Sequence, residues 1–251
     1  MTRPATLITG ASAGLGAEFA RQCARRGETL VLVARRRERL EALAAELGDA
    51  HAVAADLEAP GAAQRLLAEV ESLGLHVETL INNAGFGLAG RFAALPAERQ
   101  LAMIDLNVRL LTELCRLCVP GMLERGRGGI LNVASTAAFQ AGPNMAVYYA
   151  TKSFVLSLTE ALHQEIKGTG VKVSALCPGP TVTEFFDVAG AGNSRLARMG
   201  ADAPSVVGAG LRGLDRNRAI VIPGAANRIG AQANRILPRA AMRRIIAAIK
   251  L

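Results

Sequence analysis

Residues 5–16, ATLITGASAGLG, give the clearest indication of the fold of this chain. A short apolar run, Ala5–Thr9, leads into a turn with glycine at positions 10, 14 and 16, and Ala17–Arg26 then has helical spacing. Glycines let the backbone turn sharply between a strand and a helix. They also let a diphosphate approach the helix N-terminus, where free N–H groups and the helix dipole favour anions. The same glycines also allow close helix–strand packing, so the turn predicts dinucleotide binding only within a strand–helix–strand unit.

Strand-like and helix-like segments alternate along the rest of the chain. The strands are continuous apolar runs, which is typical of a parallel sheet covered on both faces. Ala97–Leu123 has the pattern of one long helix or two consecutive helices. We therefore predict one α/β domain over residues 1–251, with a Rossmann-like doubly wound parallel sheet of about seven strands. The predicted strands are residues 5–9, 29–34, 51–55, 77–81, 129–134, 171–177 and 219–222.

Composition limits the class of protein. Apolar residues make up 51% of the 251 residues, enough for a sizeable core, although aromatic residues are scarce at 4%. We expect no secretory segment and no membrane span, and the four scattered cysteines fit a reducing cytoplasm. Cys115 and Cys118 have the spacing of half a metal or redox site. Without a second Cys/His pair, we interpret them as core residues and expect no metal.

The positive charge is concentrated at the C-terminus. Eleven Lys/Arg and two Asp/Glu lie between Arg195 and Leu251, although the net charge of the whole chain is only +8. Within residues 227–251, arginines interleave with Ile and Leu, and Pro238 divides this basic tail into two short helical pieces. Such a helix docks its apolar side on protein, which we favour, or lies on an anionic membrane. We expect no nucleic-acid binding, because the tail lacks aromatic residues for stacking.

The residues after the second predicted strand bear on the choice of cofactor. An acidic residue there binds ribose hydroxyls, whereas an arginine accommodates a 2′-phosphate. In this chain Ala34 is followed by Arg35, Arg36 and Arg37. Cations in the first turn of a helix are disfavoured by its dipole, so their presence indicates an anion for them to bind. The sequence therefore favours NADP over NAD.

Tyr148 and Lys152 form a Tyr-x-x-x-Lys pair. Residues four apart on a helix share one face, with Cβ atoms about 5–6 Å apart. A lysine ammonium at that distance favours the phenolate, so we expect Lys152 to lower the pKa of Tyr148. The phenol would then exchange protons near neutral pH.

These motifs together resemble the short-chain dehydrogenase/reductases, in their compact single-domain branch. The resemblance runs from about Thr6 to Thr183 and implies hydride transfer between a nicotinamide and a substrate carbonyl. It implies that Tyr148 is the general acid/base, Ser135 orients the reacting oxygen, and Lys152 also holds the nicotinamide ribose. Asn107 would support a water that links the lysine to solvent. The motifs are TGASAGLG at 9–16, Asp56-Leu57, NNAG at 82–85, Asn107, Ser135, Tyr148 with Lys152, and Pro178-Gly179.

The resemblance also implies a cofactor site. Two departures from the family pattern are Ala13, where many NADP-using members carry a base, and Thr181, where relatives often carry valine. Either Thr181 or Thr183 could therefore bind the carboxamide. The implied cofactor residues are Gly10, Ser12, Ala13, Gly14, Leu15, Gly16, Arg35, Arg36, Asp56, Leu57, Asn83, Ala84, Gly85, Tyr148, Lys152, Pro178, Gly179, Thr181 and Thr183.

The predicted substrate side is mostly apolar and has no fixed cation, which favours a hydrophobic ketone, aldehyde or secondary alcohol. Residues 183–202, with three glycines, resemble a mobile lid. Family members are commonly dimers or tetramers, and the apolar helices Leu101–Leu123 and Val155–Ile166 could supply the contact. The predicted substrate residues are Phe86, Phe139, Met145, Phe185 and Phe186, with Leu88 and Gln140 nearby.

Two other functions stay open at this stage. The chain could be an NADP-binding scaffold or sensor without turnover, which the intact Ser135, Tyr148 and Lys152 disfavour. It could also be a peripheral membrane protein whose basic tail is the working part. Replacement of Tyr148 by Phe would leave the function of a scaffold unchanged and would abolish that of an enzyme.

Overall fold

Seven strands form the centre of the molecule, for which a computed structural model describes residues 2–192 and 200–248. The strands are β1 (Arg3–Thr9), β2 (Leu30–Ala34), β3 (Ala50–Ala54), β4 (Leu75–Asn82), β5 (Gly128–Val133), β6 (Val171–Leu176) and β7 (Ile220–Val221). Their order in the sheet is β3-β2-β1-β4-β5-β6-β7, and every pairing is parallel. The predicted seven-stranded doubly wound sheet is confirmed.

The core lies on both faces of this sheet. Successive residues of a strand point to opposite faces, and here both residues of each such pair are buried. Leu7 and Leu80 belong to the apolar cluster on one face, whereas the adjacent Ile8 and Ile81 belong to the cluster on the other. Because neither face is exposed to solvent, the strands are continuous apolar runs without alternating polar residues.

Helices cover the two faces. The helix predicted over 97–123 is continuous from Ala97 to Arg125, with a wider, π-helical turn over Asp105–Leu110 between α4 and α5. In the described residues the helices are α1 (Gly14–Ala24), α2 (Arg37–Leu47), α3 (Ala62–Ser72), α4 (Ala97–Ile104), α5 (Leu111–Arg125), α6 (Ala146–Glu165), α7 (Phe185–Val188), α8 (Ala203–Asp215), α9 (Ala225–Ile236) and α10 (Arg239–Ala248).

The loops after β1 and β4 meet at the point where the strand order reverses. In doubly wound sheets this crevice beyond the carboxyl ends of the strands binds ligands. Thr9 Oγ1 accepts hydrogen bonds from the backbone N–H groups of Asn83 and Ala84, both at 3.0 Å. Asn83 Nδ2 donates in return to the carbonyl oxygens of Thr9 and Gly10, at 2.9 and 3.2 Å. These bonds fix the two loops on which the cofactor residues were predicted.

Cys115 and Cys118 lie in the core, as the sequence predicts, and both are free thiols. Burial raises the pKa of each thiol to about 12, so neither ionises near neutral pH. Over residues 2–192 and 200–248, no group of three or more His, Cys, Asp or Glu side chains could hold a metal ion. None of the helices in this part of the chain has the length and apolar character that crossing a bilayer requires.

The basic tail forms the two helices that the sequence predicts, one on each side of Pro238. Ala231 and Met242 are buried, and the side chain of Asn227 packs against Gly179. The first tail helix therefore docks on the domain beside the predicted active site. Three large apolar side chains of the tail still face solvent, since Ile229 is 72% exposed, Ile245 is 48% exposed and Leu237 is 40% exposed.

Candidate active site

A cleft of about 450 Å³ runs along the carboxyl ends of the central strands. Arg35 and Arg36 lie at one end, and Tyr148 and Lys152 lie at the other. Most of the residues predicted for the site line this one cleft. They are Gly10, Ser12, Ala13, Gly14, Leu15, Arg35, Arg36, Asp56, Leu57, Asn83, Ala84, Gly85, Phe86, Ser135, Met145, Tyr148, Lys152, Pro178, Gly179, Thr181, Thr183, Phe185 and Phe186.

Three residues of the predicted site do not line the cleft, namely Gly16, Asn107 and Phe139. Gly16 lies behind the turn, where a Cβ would collide with the carbonyl oxygen of Gly10, so it serves the packing of α1. Phe139 ends the short 3₁₀ turn Thr136–Phe139 and packs against the core. Leu88, also named as a neighbour of the substrate, packs against the core too.

Ser135 and Tyr148 come together although they lie on different elements. Ser135 follows β5, and its Oγ accepts a hydrogen bond from the backbone N–H of Ala137 at 3.1 Å. Tyr148 lies in the first turn of α6, close enough to the Ser135 side chain for that side chain to lower its pKa. Two hydroxyl groups thus meet at one point of the cleft, where both can contact the oxygen of a substrate carbonyl.

Lys152 lies one helical turn after Tyr148 and is buried. Its Nζ donates a 2.8 Å hydrogen bond to the carbonyl oxygen of Val133, at the end of β5. The same nitrogen lies 5.9 Å from the centre of the Tyr148 ring. Because one of its three N–H donors is used by Val133, two remain for other partners in the cleft.

Burial controls the ionisation of both residues. It raises the pKa of Tyr148 to about 12, an effect that exceeds the lowering by the Ser135 side chain. It also lowers the pKa of Lys152 to about 8. The prediction that Lys152 brings the tyrosine pKa down is therefore wrong for this structure, because desolvation of the phenolate outweighs the other contributions. Near pH 7 the phenol keeps its proton, and the lysine is mainly an ammonium ion.

Asn107 lies in the π-helical turn, a feature that is frequent at functional sites. Its Oδ1 accepts from the backbone N–H of Phe86 at 3.2 Å, and its Nδ2 donates to Phe86 O at 3.0 Å and to Thr151 Oγ1 at 3.1 Å. A Cβ at Gly85 would lie 2.8 Å from Asn107 Oδ1 and 3.6 Å from Lys152 Nζ. Asn107 therefore ties the Gly85–Phe86 wall to α6. Its role toward a water stays a prediction.

The glycine turn presents the N-terminus of α1 to the cleft. Ala13 precedes the helix without a side-chain cap, and the first turn holds no acidic residue. The free N–H groups are thus available to an anion. Gly14 has a φ of +54°, and a Cβ there would lie 3.1 Å from Thr183 Cβ. These features fit the diphosphate of a dinucleotide, for which a side chain at Gly14 would leave no room.

Arg36, rather than Arg35, reaches back to the glycine turn. Its Nε and Nη2 donate to Ser12 Oγ at 3.2 and 3.1 Å. Arg35 extends toward Glu58, 3.4 Å away, although both arginines line the cleft. The sequence analysis predicted both arginines as cofactor residues, because their position after a strand does not show which side chain points toward the glycine turn.

Two acidic residues of the cleft were missed by the sequence analysis. Glu58 lies two residues after Asp56, whose Oδ1 accepts from the Glu58 backbone N–H at 3.1 Å. Glu184 follows Thr183 and pairs with Arg36 at 2.9 Å and with Arg39 at 2.7 Å. No local pattern marks Glu184, because its partners lie about 150 positions earlier in the chain and are brought close only by the fold.

Thr181 and Thr183 differ in their surroundings. Thr181 is buried, and its hydroxyl donates to Gly179 O at 3.0 Å, whereas Thr183 lies against the glycine turn. Thr181 also forms an isolated β-bridge with Ala201. The two ends of the predicted lid, residues 183–202, therefore lie side by side. Residues 193–199 of that lid lie outside the described residues, and its closure stays a prediction.

The substrate end of the cleft is apolar. The Phe185 ring centre lies 5.3 Å from that of Tyr148, and a Cβ at Gly87 would lie 2.9 Å from Phe185 Cζ and 3.0 Å from Met145 Cε. Phe186 packs edge-on against Phe185 at 5.6 Å. The described residues that line the cleft include three cations. Lys152 lies at this end, and Arg35 and Arg36 lie at the opposite end.

Similarity to known proteins agrees with this arrangement. Residues 4–193 match the family described as short chain dehydrogenase. A ketoacyl reductase from Nostoc sp. is 36% identical over 183 residues, which cover 71% of this chain and 64% of that protein, less than two thirds of its length. An NADP-dependent 3-hydroxy acid dehydrogenase from Escherichia coli is 36% identical over 185 residues, or 72% of this chain and 75% of that protein.

A solved structure resembles almost the whole chain. The short-chain dehydrogenase from Sphingobium yanoikuyae in complex with NADPH superposes with a TM-score of 0.82 at 35% identity. The match covers 98% of this chain and 96% of that one. A relation to named reductases and dehydrogenases makes a scaffold without turnover the less favoured alternative. The chain is an oxidoreductase and belongs to the short-chain dehydrogenase/reductase family.

Proposed function

We propose that this protein uses NADPH to reduce a hydrophobic ketone or aldehyde to the corresponding alcohol. The observation that carries the proposal is the pairing of Ser135 and Tyr148 beside the buried Lys152, with Arg36 at the far end of the same cleft. The names of two similar proteins, one seen with NADPH and one described as NADP-dependent, support the cofactor.

Each of the three polar residues has a separate task in this proposal. A bound nicotinamide cofactor supplies the hydride, which is the chemistry of the cofactor itself. Tyr148, protonated near neutral pH, donates its proton to the developing alkoxide. Ser135 donates a hydrogen bond to the same oxygen, and the Lys152 ammonium adds positive charge nearby. The raised pKa of Tyr148 keeps the phenol protonated near neutral pH, which is the form that reduction requires.

The walls of the cleft support an apolar substrate. Phe86, Met145, Phe185 and Phe186 offer apolar surface around the reacting point. Lys152 is the only cation among the described residues that line this end of the cleft, and the Arg99 guanidinium packs on the Phe86 ring, 4.6 Å from its centre. Among the described lining residues at this end, a free carboxylate or phosphate on the substrate would meet no cation besides Lys152, and its desolvation would be costly. An apolar carbonyl compound therefore fits best.

The direct test is nicotinamide absorbance with the purified protein, a panel of hydrophobic ketones, aldehydes and secondary alcohols, and each of the four cofactor forms. We expect turnover with the NADP pair. Turnover with the NAD pair alone would contradict the cofactor preference and keep the reaction class. Tight cofactor binding without any turnover across the panel would contradict the proposed substrate class.

Arg36→Ala should weaken NADP(H) binding by about 10- to 100-fold, because a charge-assisted hydrogen bond contributes about 1.5–3 kcal/mol. The affinity for NAD(H) should change little, since NAD(H) lacks the 2′-phosphate. Dissociation constants from fluorescence titration measure both effects. Arg37→Ala is the matched control, because Arg37 is exposed and pairs with Glu41 on its own helix. Equal losses for the two cofactors would contradict the role of Arg36.

We propose that the helix faces of α4, α5 and α6 join copies of the chain in a homodimer or homotetramer. Leu101, Leu117, Leu123 and Phe154 are 39–60% exposed on these helices. Exposed apolar side chains on adjacent helices are typical of an interface. Light scattering should give the mass of two or four chains, and Leu101→Asp should lower it. A monomer mass for the unmodified protein would contradict the assembly.

We propose that the outer side of the basic tail also contacts anionic lipid. Among the described residues Arg228, Arg239, Arg243 and Arg244 form no ion pair, and Ile229 and Ile245 are exposed. The protein should sediment with phosphatidylglycerol vesicles at low salt and not with pure phosphatidylcholine vesicles. Arg243→Ser combined with Arg244→Ser should reduce that binding several-fold. Equal binding to both vesicle types would contradict the proposal.

A further inference from the structure

Glu184 links two parts of the cleft. It directly precedes Phe185, which packs on Tyr148, and its carboxylate pairs with Arg36 and Arg39 at the cofactor end. Its Oε2 accepts from Arg36 Nη1 at 2.9 Å, and its Oε1 accepts from Arg39 Nη1 at 2.7 Å. The bond from Arg39 and then that from Arg36 hold the pKa of Glu184 below its usual range. The carboxylate is therefore ionised near neutral pH and shared between two guanidinium groups.

Arg36 has few donors left for another anion. A guanidinium has five N–H donors. In this structure Nε and Nη2 of Arg36 bind Ser12 Oγ, while Nη1 binds Glu184. A phosphate that pairs with arginine in the bidentate manner needs two parallel N–H groups. Each adjacent pair, Nε with Nη2 and Nη1 with Nη2, includes a nitrogen that already has a partner. Because Ser12 takes the first pair, a phosphate that binds the second pair competes with the carboxylate of Glu184 at Nη1.

The residues around Glu184 connect this competition to the catalytic tyrosine. Thr183 lies against Gly14, and Glu184 directly precedes α7, which begins with Phe185. The Phe185 ring packs on the Tyr148 ring and fills the space in front of Gly87. While Glu184 is held by the arginines, α7 is held over the point where an apolar substrate would reach Tyr148.

We propose that Glu184 is a specificity-determining residue that occupies Arg36 and Arg39 in the free protein until the 2′-phosphate of the cofactor displaces it. When Glu184 is displaced, Phe185 is released from Tyr148 and the substrate end of the cleft opens. NADP(H) therefore opens this end, whereas NAD(H), which lacks the 2′-phosphate, leaves Tyr148 covered by Phe185. The inference rests on the NADP preference proposed above.

The strength of the contacts suits such an exchange. The side chains of Arg36, Arg39 and Glu184 are each about half exposed, at 44–51%, so their ion pairs are screened by solvent. A phosphate monoester carries close to two negative charges at pH 7, whereas a carboxylate carries one. The phosphate therefore competes well against Glu184 for Arg36.

The first test uses two nucleotides that lack nicotinamide, so that binding is measured without turnover. We expect Glu184→Gln to bind adenosine 2′,5′-bisphosphate about 3- to 10-fold more tightly than the unmodified protein, by isothermal titration calorimetry. Binding of adenosine 5′-monophosphate should stay unchanged. Asp187→Asn is the matched control, because Asp187 lies on the same short helix and forms no ion pair among the described residues.

The second test follows α7 directly. The chain contains no tryptophan, so Val188→Trp, at a position 56% exposed on α7, introduces a single fluorescent reporter. Adenosine 2′,5′-bisphosphate should shift its emission, and the 5′-monophosphate should not. In the Val188→Trp/Glu184→Gln double variant, the shifted emission should be present before any nucleotide is added.

The outcomes separate this inference from the cofactor proposal. Equal affinity of the unmodified protein for the two nucleotides would overturn both. Selective binding of the bisphosphate that is unchanged or weakened in Glu184→Gln would overturn only the role of Glu184. Tighter binding without any change in the tryptophan emission would keep the competition at Arg36 and overturn the release of α7.

Discussion

Tyr148→Phe will lower kcat by about 10²- to 10⁴-fold, the range that a positioned general acid contributes. The ring is retained, so its packing against Phe185 is preserved and only the hydroxyl that meets Ser135 is lost. The dissociation constant for NADPH should change little, because the arginines and the glycine turn lie at the other end of the cleft. Single-turnover absorbance and fluorescence titration measure the two quantities separately.

Tyr149→Phe is the matched control for this experiment. Tyr149 also lines the cleft, but its ring centre is 6.1 Å from that of Tyr148 and it packs over Gly142. We expect it to lower kcat far less than Tyr148→Phe does. A similar loss in both variants would show that the tyrosines act on the shape of the pocket and not by proton transfer. Turnover unaffected by Tyr148→Phe would remove the tyrosine from the mechanism.

Lys152→Met should abolish turnover and yet stabilise the cofactor-free protein near pH 7. Burial lowers the pKa of Lys152 from 10.5 to about 8, so holding its ammonium in the fold costs free energy on the order of 3 kcal/mol. Methionine has a similar length and no charge. Its substitution removes the hydrogen bond to Val133 O, at a cost of about 1–3 kcal/mol. We expect a net gain of about 1 kcal/mol in the free energy of unfolding.

The pH dependence identifies the origin of this gain. The folded pKa lies below the unfolded one, so between about pH 8 and 10.5 the unfolded chain binds more protons at this site. The unfolding free energy of the unmodified protein therefore gains a contribution with rising pH across this window, as the buried lysine loses its charge. The advantage of Lys152→Met should shrink over the same window. Urea unfolding at pH 7, 9 and 10.5 measures it, and an advantage that is constant with pH would contradict the charge-burial explanation.

The candidate residues of the site could be named from the sequence because they lie in short local patterns. The glycine turn, the arginines after the second strand and the Tyr-x-x-x-Lys pair each have a fixed position relative to a strand end or a helix face. In a parallel sheet the carboxyl ends of all strands meet at one edge, so residues far apart in sequence were expected at one cleft. The cleft does collect most of them.

Other features of the site depend on contacts between residues far apart in sequence, which a local sequence pattern does not show. Arg36 is preferred over Arg35 at the glycine turn because Ser12 lies within 3.2 Å of it. Glu184 enters the site from a loop that is about 150 positions from its partners. Gly16 and Asn107 act behind the cleft, where they hold its walls together.

The fold class and the oxidoreductase family followed from the sequence, which also supplied the candidate catalytic groups. Hydrophobic periodicity depends on which faces of an element are buried, and catalytic spacing depends on the pitch of a helix. How these groups ionise depends on the folded chain and could not be derived from the motifs. The pKa of Tyr148 rises and that of Lys152 falls because chain segments distant in sequence enclose both side chains and remove their water. Desolvation depends on everything that surrounds a group, and a sequence motif describes only its neighbours along the chain.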